Sequence, residues 1–403
     1  MAHVPSTGSG VALDLIRSGE ATTRTELIER LGWSRITLAR RLDDLLAAGI
    51  IVVSGQRESG GGRPSEKFAV NKDAGLLLSV DIGGSHTRVA ITDLISTVLV
   101  EDEADIGLWE GPDAVFTWAT QVFDYLLPRL GKSRADVRGI GVGVPGPVDA
   151  QTGRLASPQL DQQWADVLVK DYFPEEYSAV FAIDRDVNVM AVAESRLGWP
   201  EYRDLIVLKL GLGIGCGLVL DDRVYRGARG GAGDVAHRYR HGSEPCSCGG
   251  SGCLETVASG YAIRRRLNER GYRVRTSSDI VALARLASPD AVELLTAAGQ
   301  EIGTALVDVA GLLNPQIIVV GGILAEAGDP FLSAIRDTLL AGARAFSGEG
   351  LVVAQSRLGN KAGILGASLV AQDALFATER ISALTRTPRS GSRAGAVQVR
   401  IVP

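Results

Sequence analysis

A glycine-rich segment from Gly233 to Glu255, GDVAHRYRHGSEPCSCGGSGCLE, constrains the structure of this chain more than any other stretch. It contains three of the four cysteines, and His237 precedes the first of them by nine residues. Thiolates and an imidazole are suitable ligands for tetrahedral Zn²⁺, and four protein ligands make such a site structural rather than catalytic. The alternative is that the three cysteines are free thiols in a loop. Their clustering in a chain with few cysteines makes this alternative less favoured. The predicted ligands are His237, Cys246, Cys248 and Cys253.

Length and composition indicate two or three domains with a large core, since 45% of the 403 residues are hydrophobic. The formal net charge of −5 argues against non-specific nucleic-acid binding through a general basic excess. Residues 1–72 differ, because they carry ten Lys and Arg against eight Asp and Glu. With few cysteines, no signal-peptide pattern and no apolar run of about 18 residues, we expect a cytoplasmic protein that does not contact a membrane.

Residues 9–50 show the pattern of three short helices. Thr23 and Glu26 form a capping box at the start of the second helix, and Ser34 caps the third. The third helix turns leucines inward and arginines outward, as does a helix that reads the DNA major groove. The predicted inward residues are Ala12, Leu15, Ile16, Leu27, Ile28, Leu31, Leu38, Leu42 and Leu45, and the predicted DNA-binding residues here are Arg35, Ile36, Thr37, Arg40 and Arg41.

A strand, a glycine-rich turn and a returning strand follow, at Ile50–Ser54, Gln56–Pro64 and Lys67–Val70. This order predicts a wing, on which Arg57 and Arg63 would contact phosphates or a minor groove. Three helices and a wing together predict an α+β winged helix-turn-helix domain that binds DNA. The alternative is a small helical interaction module whose arginines are only solvated.

From Leu76 onward the pattern changes to the strands and helices of an α/β fold. Asp184 and Asp186 lie where a strand ends and a helix begins, so they either carry a function there or only cap the helix. The predicted strands are Leu76–Asp81, Thr87–Asp93, Gly139–Asp149 with its Pro-Gly turn, Ala179–Ile183, Leu205–Leu210, Ile214–Leu220 and Gln316–Val320, and the predicted helices include Glu255–Arg270, Ala291–Leu313 and Asn360–Leu375.

Several stretches resemble motifs of the ROK family, which groups bacterial sugar kinases with sugar-responsive transcriptional regulators. GDVAH followed by CSCGGSGCLE is similar to the family's zinc signature, GGRP to the wing of its regulators, and DIGGSHTRVAITD and GIGVGVPGPVD to its first phosphate loop and sugar-side loop. The resemblance implies the two-lobed actin-like ATPase fold of sugar kinases and heat-shock chaperones over residues 73–383. The winged helix-turn-helix domain of residues 1–72 would precede it, and a loose tail of residues 384–403 would follow.

The resemblance also implies roles for single residues. In this family the histidine binds zinc through one ring nitrogen and faces the sugar with the other, and the aspartate matched by Asp186 is the kinases' general base. Asp186 would therefore be catalytic only in a kinase. The implied sugar-binding residues are Gly146, Asp186, Asp234, His237 and Glu255, and the implied contacts to ATP, with Mg²⁺, are Gly83, Gly84, Thr87, Gly211, Gly213, Gly321 and Gly322.

Two functions fit this sequence. One is a sugar-responsive DNA-binding transcriptional regulator, expected to be a repressor, and the other is an ATP-dependent sugar kinase that carries a DNA-binding domain. Arg185 stands where kinases usually have asparagine, and Asp234 where they have glutamate; lost polar contacts cost about 1–3 kcal/mol each, which favours the regulator. We expect its partners to be an inverted-repeat operator, a sugar or sugar-phosphate effector, and further copies of itself in a homodimer or tetramer.

Overall fold

The computed structural model describes residues 8–57, 65–149, 153–155, 162–164, 167–238, 242–343 and 348–385, without the side chains of Gln56, Arg57 and Gln162. Three helices and a two-stranded sheet at the N-terminus are followed by two α/β lobes that each contain a five-stranded sheet. Within the described ranges, no helix is both long enough and apolar enough to span a bilayer.

The N-terminal helices are α1 (Ser9–Ser18), α2 (Arg24–Leu31) and α3 (Arg35–Ala47). Both predicted helix starts are confirmed. The Glu26 amide donates to Thr23 Oγ1 at 3.3 Å while the Thr23 amide donates to Glu26 Oε2 at 2.9 Å, and the Thr37 amide donates to Ser34 Oγ at 3.1 Å. Each cap satisfies amides that the first helical turn leaves free. Of the predicted inward residues, Ala12, Ile16, Leu27, Leu38, Leu42 and Leu45 are buried, and Leu15, Ile28 and Leu31 are half-buried.

The two strands that follow, β1 (Ile51–Arg57) and β2 (Ser65–Val70), pair antiparallel. Strand β1 is longer than the predicted Ile50–Ser54, and its backbone reaches Arg57. The sequence pattern placed Gln56 and Arg57 in the turn, because they adjoin the glycine-rich run within Gln56–Pro64. Cross-strand pairing of Gln56 with Glu66 and of Arg57 with Ser65 instead continues the ladder.

The first lobe contains a sheet in the order β5-β4-β3-β6-β7, antiparallel from β5 to β3 and parallel from β3 to β7. Every residue of β3 is buried, which fits a strand covered on both faces. Strand β5 and helix α4 lie outside the predicted elements. The elements are β3 (Leu76–Ile82), β4 (Thr87–Asp93), β5 (Val98–Ala104), α4 (Gly111–Arg129), β6 (Val137–Val144) and β7 (Val180–Arg185).

The second lobe repeats this topology, with a sheet in the order β10-β9-β8-β11-β12 that is antiparallel from β10 to β8 and parallel from β8 to β12. The predicted hairpin at Leu205–Leu210 and Ile214–Leu220 is confirmed to the residue. The elements are β8 (Leu205–Leu210), β9 (Ile214–Leu220), β10 (Arg223–Val224), α6 (Leu254–Ala258), α7 (Gly260–Glu269), α8 (Ser277–Arg285), α9 (Pro289–Leu313), β11 (Ile317–Gly321), α10 (Asp329–Gly342) and β12 (Val352–Gln355).

The predicted helix Glu255–Arg270 is wrong, because it is two helices that meet at Ser259. Ser259 is extended, at φ −77° and ψ 163°, and its side chain accepts from the Ala262 amide at 3.2 Å. The freed amides of Gly260 and Tyr261 donate to the carbonyls of Gly211 and Leu212, each at 3.0 Å. The break thus anchors α7 to the glycine loop between β8 and β9.

Two nearly fully buried helices lie between the sheets: α5 (Asp186–Ala193) and α11 (Ala362–Leu375). They pack so closely that a Cβ at Gly366 would lie 1.7 Å from the carbonyl oxygen of Val189. Helix α5 ends in a π-helical turn, Glu194–Gly198. Because α5 packs on α11 and also on β8 and β9, it connects the two lobes.

The N-terminal helices share a hydrophobic core with the first lobe rather than forming a separate one. Leu13 and Ile16 of α1 belong to one buried cluster with Leu77 of β3 and Leu369 of α11. A short last helix, α12 (Thr378–Leu384), packs on α1 and contributes Ile381 to this cluster. Residues 386–403, most of the predicted tail, lie outside the described residues.

Candidate metal centre and ligand cleft

One histidine and three cysteines converge in the second lobe, as the sequence predicts. The ligand atoms of His237, Cys246, Cys248 and Cys253 all lie within 4.8 Å of one another. His237 Nδ1 is 3.5 Å from Cys246 Sγ, and Cys248 Sγ is 3.6 Å from Cys253 Sγ. This donor set fits a tetrahedral metal site of the Cys₃His kind.

The loop that carries the thiols is shaped by its glycines. Gly249 and Gly252 have φ of 83° and 62°, which favours glycine over residues with a side chain. The Cys246 amide donates to the Gly250 carbonyl at 2.9 Å, so the chain reverses between the first and third cysteine. The Gly250 N–H in turn donates to Cys248 Sγ and holds the pKa of that thiol below its ordinary value. A lowered pKa favours the thiolate, which is the metal-binding form.

His237 lies between the cysteine cluster and the space between the lobes. Its Nδ1 faces Cys246, and its Nε2 is 3.5 Å from Glu255 Oε2. Glu255 is the second residue of α6, directly after the cluster, and burial raises the pKa of its carboxyl. A metal on Nδ1 would fix the tautomer and leave Nε2–H as an aimed donor.

A cleft of about 1320 Å³ lies between the lobes, and nearly all predicted ligand-binding residues line it. Polar groups come from both lobes, which is typical of a small-molecule site. Thr87 is the exception: it is buried in β4, and its hydroxyl donates to the Ile106 carbonyl at 2.7 Å. The predicted residues that line the cleft are Gly83, Gly84, Gly146, Asp186, Gly211, Gly213, Asp234, His237, Glu255, Gly321 and Gly322.

The two aspartates at the start of α5 differ in role. Asp184 is buried, and its Oδ1 accepts from Asn188 Nδ2 at 2.7 Å while its Oδ2 accepts from Arg226 Nε at 2.7 Å. Asp184 therefore has a structural role through side-chain contacts, but it does not cap α5: the N-cap residue is Arg185, and no side chain caps this helix. Asp186 lines the cleft, and its Oδ1 accepts from the Val187 amide at 2.8 Å.

Lys209 near the end of β8 is a cleft residue that the sequence analysis missed. Its Nζ lies 2.9 Å from Asp186 Oδ2 and 3.4 Å from Asp81 Oδ1. Burial alone would lower the pKa of Lys209, but the charges of Asp186 and Asp81 raise it above its ordinary value. The signal was present, since Lys209 is the single charged residue in the apolar strand LIVLKL.

Arg185, the first departure from the kinase pattern, also lines the cleft. Its Nη1 donates to the Ala232 carbonyl at 2.7 Å, so the side chain reaches from β7 to the loop that leads into the metal segment. The guanidinium ties this loop to the first lobe.

The outward face of α3 carries most of the predicted DNA-binding residues. Arg35, Ile36, Thr37 and Arg40 are exposed, and Ile36 is 84% exposed although it is apolar. Arg41 is half-buried, with Nη1 3.8 Å from Asp44 Oδ2. The wing arginines are outside this description: only the backbone of Arg57 is described, and Arg63 is not.

Known proteins share these features. The ROK family profile matches residues 77–374 of the chain. The chain is 26% identical to the xylose repressor of Caldicellulosiruptor bescii, across 88% of this chain and 93% of that protein. It is 29% identical to the glucokinase of Halalkalibacterium halodurans, across 72% of this chain and 92% of that protein.

A solved structure has a similar fold over almost the whole chain. It is a ROK family transcriptional regulator, a homologue of the Escherichia coli Mlc protein, with a TM-score of 0.79 and 22% identity. The match covers 94% of this chain and 98% of that one. Since the family profile alone spans well over half of the residues, this chain belongs to the ROK family.

Proposed function

We propose that this protein is a sugar-responsive, DNA-binding transcriptional repressor. One observation carries the proposal: a helix with an exposed basic face is packed, through a shared core, onto a body that contains a polar cleft between two lobes. The match to a xylose repressor covers 88% of this chain, whereas the match to a glucokinase covers 72%, and the longer match supports the repressor.

The N-terminal part, residues 1–72, would act as a winged helix-turn-helix domain. Helix α3 would enter the major groove, with Arg40 reading bases and Arg57 or Arg63 of the wing holding phosphates or the minor groove. Residues 73–383 would form the sensor, with residues 384–403 as a tail. Because a single such unit binds weakly, we infer a homodimer or tetramer that binds an inverted repeat.

The cleft would bind a sugar or a sugar derivative. Gly146 and Asp186 approach from the first lobe, and Asp234, His237 and Glu255 from the second, so a ligand that contacts both groups favours a closed arrangement. Zn²⁺ on the cysteine cluster would have a structural role and would fix His237 for the sugar. The protein would act in the bacterial cytoplasm.

Helix α5 offers a physical connection between the two parts. It begins at Asp186 in the cleft and packs on α11, and α11 belongs to the same core as α1. A ligand that shifts α5 would therefore change how the N-terminal helices of two subunits are spaced. An ATP-dependent sugar kinase is the second candidate, favoured by the glycine loops that line the cleft.

The test of DNA binding is selection from a random duplex library with the purified full-length protein. We expect enrichment of a site with two inverted half-sites about one helical turn, or a multiple of it, apart. The selected duplex should bind more tightly than a scrambled one in fluorescence anisotropy. No enrichment over the starting library would contradict the repressor assignment.

A further inference from the structure

The floor of the cleft holds a lysine between two carboxylates. Lys209 extends from β8 of the second lobe, whereas Asp81 lies near the end of β3 and Asp186 begins α5. The ammonium is 2.9 Å from Asp186 and 3.4 Å from Asp81, and the three side chains are 22%, 19% and 9% exposed. The ion pairs therefore connect the lobes in a largely buried place.

Backbone groups lie close to both carboxylates. Asp186 Oδ1 accepts from the Val187 amide at 2.8 Å. Asp81 lies against the first turn of α11, where a Cβ at Gly363 would be only 1.9 Å from Asp81 Oδ2. A side chain at position 363 would occupy the space of the Asp81 carboxylate, so Gly363 leaves room for the ion pair with Lys209.

Phosphoryl transfer from ATP requires a divalent cation in this part of an ATP cleft, and Mg²⁺ binds carboxylate oxygens at about 2.0–2.1 Å with octahedral geometry. The residues here do not fit that ion, because a positive ammonium already lies between the two carboxylates. We propose that Lys209 is a built-in cation that replaces the divalent metal. The cleft then binds its ligand without Mg²⁺ and transfers no phosphoryl group.

The contact between the glycine loops supports this inference independently. Leu212 lies in the loop between β8 and β9, and a Cβ at Gly84 would be 3.0 Å from its Cδ2. An apolar side chain therefore covers Gly84, where the first phosphate loop meets the loop that carries the implied ATP contacts Gly211 and Gly213. Methyl groups give a phosphate no hydrogen bond, and they occupy space that a backbone cradle for phosphate needs.

Mn²⁺ is the probe, with binding followed through the loss of the free-ion signal in electron paramagnetic resonance. The protein is loaded with zinc first, so that the cysteine cluster does not take up the probe. We expect Lys209→Met to bind Mn²⁺ at least about tenfold more tightly than wild type, because a like charge next to the site is removed. The surface variant Lys170→Met should behave as wild type, and Lys209→Met with Asp81→Asn should lose the gained site.

Wild type supplies a second measurement that does not depend on the folding of Lys209→Met. Calorimetric titration with D-xylose, D-glucose and their phosphates should give the same Kd with and without added Mg²⁺, and ATP should not be consumed. Wild-type Mn²⁺ binding that Asp81→Asn abolishes would overturn the inference, as would folded Lys209→Met that gains no metal. Neither measurement involves DNA. The inference about Lys209 can therefore fail while the repressor assignment stands, and the repressor assignment can fail while the inference stands.

Discussion

Arg17 of α1 donates through Nη1 to Oδ1 of Asp373 on α11 at 2.5 Å, across the interface between the N-terminal helices and the first lobe. Arg196 of the π-helical turn after α5 donates to both oxygens of the same carboxylate, at 2.9 and 2.8 Å. Asp373 thus joins three segments: α1, its own helix α11, and the π-helical turn that continues α5 away from the cleft.

The Asp373 carboxylate should stabilise the fold above acidic pH. Burial alone would raise its pKa, but hydrogen bonds and charges from Arg196 and Arg17 hold the pKa below its ordinary value of 3.8. A lowered pKa means that the stabilisation is present above that ordinary value and is lost as the pH falls through the folded-state pKa.

We therefore expect Asp373→Asn to reduce the free energy of unfolding at pH 7 by about 1–3 kcal/mol, the range for hydrogen bonds to charged groups with partial solvent screening. Urea denaturation of both proteins at pH 7, 5 and 4 measures this difference in the free energy of unfolding. The difference from wild type should persist at pH 5 and begin to narrow near pH 4. Equal stability of the two proteins at pH 7 would contradict this role.

Arg196 should carry part of the coupling between ligand binding in the cleft and operator binding by the N-terminal helices. Arg196→Gln removes the bidentate pair while the cleft and α3 are unchanged, so both ligands should still bind. In wild type we expect sugar to change operator affinity about 5- to 150-fold. In Arg196→Gln this change should largely disappear. Arg134→Gln is the matched control, since it breaks a comparable pair with Asp124, 2.6 Å long and remote from α1 and α5. Full coupling in Arg196→Gln would exclude this connection.

Zinc should be present at about one ion per chain, because the four ligands make one tetrahedral site. Cys248→Ser should lose the metal and lower the Tm, since metal-binding energy here contributes to folding. Cys216→Ala should keep the metal, because Cys216 is not one of the four clustered ligands. It is fully buried in β9, and burial raises the pKa of its thiol to about 12. Metal analysis of protein purified without chelator measures the zinc content per chain. Wild-type protein that contains no bound zinc would contradict the predicted site.

Arg40 should read operator bases, because it is exposed on the outward face of α3 beside Ile36 and Thr37. Arg40→Ala should weaken operator binding by about 1–3 kcal/mol and relax the preference at one base position. Arg129→Ala, which removes an exposed arginine stacked on Tyr125 of the first lobe, should leave binding unchanged. Equal operator affinity of wild type and Arg40→Ala would remove α3 from the reading role.

Local sequence patterns were enough for the metal cluster and for the hairpin of β8 and β9. The four metal ligands lie within one segment, and the hairpin is a pair of apolar runs around glycines. The ion pairs of Lys209 could not be predicted in this way. Asp81 is 128 residues away in the chain and meets Lys209 only because the two lobes face each other.

The break between α6 and α7 at Ser259 could not be predicted from the sequence for a related reason. A serine is compatible with the interior of a helix as well as with its cap, so the periodic pattern through Glu255–Arg270 indicates one helix. The two helices separate because the Gly260 and Tyr261 amides find partners in the loop at Gly211 and Leu212, which is a tertiary contact.

The most direct test of the central claim is the Kd of the selected operator duplex, measured with and without the sugar or sugar phosphate that stabilises wild type most in a thermal-shift screen. We expect wild type to change its operator affinity about 5- to 150-fold, which corresponds to a coupling of about 1–3 kcal/mol. Glu255→Gln, which alters a cleft carboxylate that is no metal ligand, should lose this response, and the exposed control Glu269→Gln should keep it. A sugar that binds wild type yet leaves the operator Kd unchanged would contradict the account.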